Sequence, residues 1–180
     1  MILFLHGFAS CGSGNKSQLL KQWFGEQQVL APDLPVAPAE TIALAETLIA
    51  RHPVTLLVGS SLGGYYATWL ASQHELSALL INPSTQPWTT LASQIGQHRW
   101  WCRDESFDWT KQHLASLRQF HVQQPRGRYL ALLQSGDEVL DYRLARDAYA
   151  RHRVIIEQGG NHRFETLADY RSMIERFHAC

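Results

Sequence analysis

The chain has 180 residues, 45% of them hydrophobic, and sets 16 Lys+Arg against 16 Asp+Glu for no net charge. That length fits one domain with a real core. The neutral balance argues against a general nucleic-acid binder or a basic membrane-surface protein, and no apolar run approaches the roughly 20 residues of a membrane-spanning helix. Met1 to Leu5 is apolar but has no basic lead and ends at His6-Gly7, so no secretory signal is expected. Cys11, Cys102 and Cys180 are odd in number and form no CxxC pair. That favours free thiols in a reducing cytoplasm over a disulfide frame or a zinc site.

Short apolar runs alternate with helical patterns along the chain. Strands are expected at Ile2–Leu5, Val29–Ala31, Val54–Val58, Ala78–Ile81, Tyr129–Leu133 and Val154–Ile156. They lack apolar–polar alternation, as strands buried on both faces do. Helices are expected at Lys16–Glu26, around Ile42, Ala45 and Ile49, and along Leu62, Tyr66, Trp69 and Leu70. Two more are expected, at Tyr142–Arg151 and along Phe164, Leu167, Tyr170, Ile174 and Phe177. A strand–helix rhythm of this kind implies an α/β fold with a mostly parallel sheet covered by helices. Residues 84–124 break the rhythm. They contain Trp88, Trp100, Trp101 and Trp109 and no clear strand, and a structureless loop that long is out of character for a compact domain. They are read as a small helical cap inserted in a single domain of residues 1–180. Its four tryptophans are either a satellite core or the lining of a substrate pocket.

The most informative stretch is Val54-Thr-Leu-Leu-Val-Gly-Ser-Ser-Leu-Gly-Gly-Tyr-Tyr66. A strand runs into Gly59-Ser60-Ser61-Leu62-Gly63 and a helix leaves it, which is the G-x-S-x-G nucleophile elbow in its required setting. Only Ser61, not Ser60, has glycines two residues to either side. A serine hydroxyl needs a base within hydrogen-bond reach, and that base needs an orienting acid. Active groups of parallel sheets gather at the carboxyl ends of strands. Two later strands run into Gln-Ser-Gly-Asp137-Glu-Val-Leu-Asp141 and Glu-Gln-Gly-Gly-Asn-His162. The chain order Ser61, Asp137, His162 is that of α/β-hydrolases. Asp141 and Glu138 are rivals for the acid, although Asp141 is better placed to cap the next helix. His6 is the rival base, but His6-Gly7-Phe8 follows the first strand, where an oxyanion-hole donor is expected. The donors are then the backbone N–H groups of Leu62 and Phe8, with Ala9 as the alternative to Phe8.

Two other features carry less. Gly12-Ser-Gly-Asn-Lys16-Ser17 lacks the glycine before lysine that a phosphate loop requires. Arg126, Arg128, Arg143, Arg146, Arg151 and Arg153 read as a solvated face, or as a landing site for an anionic group such as the phosphates of an acyl-coenzyme A.

Taken together, the blocks Leu5-His-Gly-Phe8, Gly59–Leu70, Gly136–Tyr142 and Gly159–Phe164 resemble the α/β-hydrolase superfamily, and within it small bacterial esterases of the YqiA/YcfP type. The resemblance implies a six-stranded sheet of order 2-1-3-4-5-6 and a cytoplasmic enzyme cleaving a small-molecule acyl ester or thioester. It implies Ser61, Asp137 and His162 as triad and no metal or organic cofactor. Residues 84–124 match no motif, so substrate preference does not transfer. Other chemistries of the same fold, such as carbon–carbon bond hydrolysis or lyase reactions, and a non-catalytic binding module, are the alternatives.

Overall fold

The computed structural model describes residues 1–179. Six strands form one sheet: β1 (Ile2–Leu5), β2 (Val29–Leu30), β3 (Leu56–Ser60), β4 (Ser77–Ile81), β7 (Tyr129–Gln134) and β8 (Arg153–Glu157). Their spatial order is β2-β1-β3-β4-β7-β8, and every neighbouring pair is parallel. This is the expected 2-1-3-4-5-6 order, once the two strands of the inserted segment are set apart.

Both faces of the sheet are buried, which is why its strands carry no alternation. Along β1, Leu3 and Leu5 face one core, while Ile2 and Phe4 face the other. The first core receives Ile42 and Ala45 from α2 (Pro38–Arg51), Tyr66 and Leu70 from α3 (Leu62–His74), and Ala145 from α6 (Tyr142–Ala148). The second receives Leu20 from α1 (Asn15–Phe24), and Ile174 and Phe177 from α7 (Arg171–Ala179). Helices on both faces complete three layers.

Three expectations need correction. Residues 84–124 are not all helical. Beside the short helices α4 (Pro87–Thr90) and α5 (Lys111–Ser116), they hold an antiparallel hairpin of β5 (Gly96–Arg99) and β6 (Ser106–Trp109). In β6, Phe107 and Trp109 are more buried than Ser106 and Asp108, the period-two pattern of a half-buried strand. The C-terminal helix does not begin at Phe164, whose φ of 53° excludes a right-handed helix. A 3-10 turn at Leu167–Tyr170 precedes α7. Phe164 and Leu167 continue the apolar spacing because they pack into the same core as α7.

The third correction concerns the thiols. Cys11 and Cys102 pair as a disulfide, with Cα atoms 6.4 Å apart. The hairpin tip folds back onto the loop after β1, and a sequence separation of 91 hid that contact. Cys180 lies outside the described residues. Among the described residues, no helix is long and apolar enough to cross a membrane.

Candidate active site

The carboxyl ends of β1, β3, β4, β7 and β8 converge, and Ser61 sits in their midst. β3 ends at Ser60 and α3 starts at Leu62, so Ser61 alone makes the turn. Its φ is 54° and ψ −121°, a conformation that non-glycine residues adopt only under constraint. The constraint is packing. A Cβ on Gly59 would come within 2.3 Å of the Gly63 carbonyl oxygen, and one on Gly63 within 2.0 Å of the Leu5 carbonyl oxygen. The backbone therefore closes on itself here only because both positions are glycine.

His162 connects the other two residues. Its Nε2 lies 3.0 Å from Ser61 Oγ, and its Nδ1 lies 2.8 Å from Asp137 Oδ2 and 3.0 Å from Oδ1. The Asp137 side chain is 2% exposed. Its Oδ1 also accepts from the backbone N–H groups of Val139 (2.9 Å) and Leu140 (2.8 Å), so the turn after β7 holds the carboxylate from behind. In the tautomer protonated at Nδ1, the imidazole donates to Asp137 and presents a bare Nε2 to the Ser61 hydroxyl, an arrangement in which an imidazole can take a proton from serine.

The rivals are placed elsewhere. Glu138 accepts the backbone N–H of His162 at 2.9 Å, which draws its carboxyl below the usual range, and it anchors the histidine loop from outside. Asp141 caps α6, accepting from Arg143 N–H at 3.0 Å. His6 is buried, and its Nε2 accepts from Leu34 N–H at 2.9 Å. Desolvation lowers its pKa, so it stays neutral and ties the loop after β2 to the loop after β1.

That loop after β1 runs directly over Ser61, since a Cβ on Gly7 would stand 3.1 Å from Ser61 Cβ. The chain then kinks at Ala9, whose φ is 56°. Among the described residues, none of the N–H groups of Phe8, Ala9 and Leu62 donates to another backbone group. α3 begins at Leu62 and adds the positive end of its dipole.

A cleft opens beside this loop, lined by Gly7, Phe8, Val36, Leu62, Trp100 and Phe107, among others. Of the four tryptophans, Trp100 and Trp109 line it. Trp88 instead packs edge-on against Tyr65 and His121. Trp101 is 77% exposed at the hairpin tip, with its backbone N–H donating to Ala9 O at 2.9 Å. Three of the late arginines find partners close by. Arg143 pairs with Asp141, Arg146 pairs with Asp147, and Arg128 bonds Ser77 and the Phe177 carbonyl. Among the described residues, no group of three or more His, Cys, Asp or Glu is placed to hold a metal ion.

Two supporting residues had no signal in the sequence. Asn82, at the end of β4, bonds the backbone of both late loops. Lys16 donates to the Arg163 carbonyl at 2.6 Å, and burial pushes its pKa down to about 8.

Sheet order, elbow and strand-end loops together define an α/β-hydrolase fold. The chain belongs to the family described as "Uncharacterised protein family (UPF0227)", whose profile matches residues 1–179. A UPF0227 protein of Shewanella loihica is 24% identical over 185 residues, covering 98% of each chain. Among solved structures, the chain is similar to an esterase domain from a Rhodothermus marinus protein at TM-score 0.71 and 20% identity, covering 99% of this chain and 84% of that one. It is also similar to a monoacylglycerol lipase of Paleococcus ferrophilus at TM-score 0.73 and 13% identity, covering 99% and 93%.

Proposed function

We propose that the protein is a serine hydrolase cleaving a carboxylic ester or acyl thioester. The observation that carries this reading is the hydrogen-bonded line from Asp137 through His162 to Ser61, at 2.8 and 3.0 Å. Ser61 Oγ attacks the carbonyl carbon while His162 Nε2 takes its proton. Asp137 keeps the imidazole in the tautomer required and stabilises its charged form. The oxyanion is received by the N–H groups of Phe8 and Leu62. One such donor is typically worth about 2.7–4 kcal/mol of barrier. His162 then returns the proton to the departing alcohol or thiol, and water attacking by the same route releases the acid. Two structural neighbours, an esterase domain and a monoacylglycerol lipase, point the same way.

The cytoplasmic placement belongs to this reading as well, but the pairing of Cys11 with Cys102 withdraws the thiol argument for it. Cell fractionation tests that placement. Turnover of p-nitrophenyl butyrate and of a butyryl thioester by wild type and Ser61→Ala tests the reaction. A fall in kcat of about a millionfold is expected. Near-normal turnover by the variant refutes the assignment.

A further inference from the structure

We propose that Gln134 is a positioning residue for the reaction. It fixes His162 against Asp137, bonding the turn of the acid with its backbone and the loop of the histidine with its side chain. This rests on Ser61 being the nucleophile and His162 its base.

The need for such a hold arises in the histidine loop itself. Gly159 and Gly160 lead into it with φ angles of 80° and 74°, both in the left-handed region. Glycines leave a segment more backbone freedom than any other residue does. His162 must nevertheless meet Asp137 and Ser61 at once, over 2.8 and 3.0 Å. A misplacement of about 1 Å at a reacting group can cost on the order of a hundredfold in rate.

Gln134 supplies the hold. It is the last residue of β7 and is 1% exposed. Its carbonyl oxygen accepts the Asp137 N–H at 3.2 Å. Its side-chain Oε1 accepts the Asn161 N–H at 2.9 Å, directly before His162. Its Nε2 donates to Thr166 Oγ1 at 2.8 Å, on the far side of His162. A Cβ on Gly160 would stand 2.2 Å from Gln134 Cδ, so the amide lies directly against the loop backbone. One buried residue thus touches the turn of the acid and both flanks of the base.

The amide fits only one way round. Glu157, at the end of β8, accepts from Thr166 Oγ1 at 2.8 Å and from Tyr170 O–H at 2.9 Å. An ionised carboxylate only accepts, which commits the single hydroxyl proton of Thr166 to it. Thr166 Oγ1 is then an acceptor towards Gln134, and the Asn161 N–H requires oxygen on the other arm of the amide. Glu157 and Tyr170 anchor the far end of this chain of bonds. Asn82 and Glu138 also bond the histidine loop, through the carbonyls of Asn161 and His162 and the N–H of His162. Neither of their side chains reaches past His162 to Thr166.

The experiment compares Gln134→Met and Thr166→Val, which remove the bonds at similar size, with Thr166→Ser, which keeps the hydroxyl. Each is assayed on p-nitrophenyl butyrate at a temperature where circular dichroism shows it folded. Gln134→Met should lower kcat on the order of a hundredfold and Thr166→Val about tenfold, with KM within about twofold of wild type. Thr166→Ser should keep kcat within about twofold of wild type. A folded Gln134→Met with wild-type kcat, or a change confined to KM, overturns the proposal. So does an equal kcat in Thr166→Val and Thr166→Ser, which decides the matter even where Gln134→Met does not fold. Turnover that survives Ser61→Ala overturns the serine-hydrolase reading instead, and absence of wild-type turnover on the ester overturns both.

Discussion

The side-chain amide of Asn82 donates to the carbonyl oxygen of His162 at 3.3 Å. The same nitrogen reaches the Asn161 carbonyl at 3.1 Å, and Asn82 Oδ1 accepts the backbone N–H of Gln134 at 2.9 Å. One buried side chain at the end of β4 thus fixes the loop carrying the histidine against the strand that leads to Asp137. Asn82 itself has a φ of 40°, a region that asparagine enters more readily than most residues.

Replacing Asn82 therefore removes three hydrogen bonds and strands polar groups. Asn82→Ala should lose about 2–4 kcal/mol of stability, read from urea denaturation. Asn82→Gly recovers the backbone strain but not the bonds, so it should lie between wild type and alanine. Both variants should lower kcat more than they change KM, because the histidine loop is displaced and not the cleft. A change confined to KM would contradict this.

Asp137→Asn separates chemistry from folding. The amide oxygen can still accept from Val139 and Leu140 N–H, so the melting temperature should move little. The histidine tautomer is no longer held, and kcat should fall by about 10⁴. Loss of activity accompanied by unfolding would mean that the carboxylate is mainly structural.

His6 gives a pH dependence with a definite sign. Burial is the largest influence on it and lowers its pKa; Asp33 opposes that and Arg103 adds to it. Below about pH 6.5 the unfolded chain takes up the proton while the folded one resists it, so stability falls as pH drops. Protonation also destroys the acceptor for Leu34 N–H. In His6→Gln this component should vanish. Urea midpoints measured from pH 7.5 down to pH 5 should fall more steeply for wild type than for the variant. Equal slopes would contradict the account.

Two glycine variants test the elbow. Gly63→Ala places a methyl 2.0 Å from the Leu5 carbonyl oxygen, between backbone segments that cannot yield. It should cost about 3 kcal/mol or more. In contrast, Gly159→Ala meets nothing within 4 Å and strains only a φ of 80°, for a cost of about 1 kcal/mol. Thermal melts of the two variants should differ accordingly.

The glycines also explain why the elbow was legible in the sequence. Steric need at Gly59 and Gly63 leaves residue identities behind, as does the burial of β1, β3, β4 and β7 on both faces. Asp137 and His162 were legible because each follows a strand end. Asn82 also follows one, but its role depends on three loops converging, and nothing in Ile81-Asn82-Pro83 records that. The hairpin was missed because β5, Gly96-Gln-His-Arg99, has no apolar residue, and the alternation of β6 spans four residues. The Cys11–Cys102 pair depends on that hairpin and was lost with it. Trp88 and Trp109 look alike in sequence, and the fold alone sends one to Tyr65 and the other to the cleft wall.

The most direct measurement is reaction of the folded protein with a fluorophosphonate, followed by mass mapping of the adduct. His162 Nε2 lies 3.0 Å from Ser61 Oγ, and the proposed mechanism makes that one hydroxyl the nucleophile. The account predicts a single adduct per chain, on Ser61, forming at least about a thousandfold more slowly in His162→Ala. Labelling at another serine, or a folded wild-type protein that stays unlabelled, would contradict it.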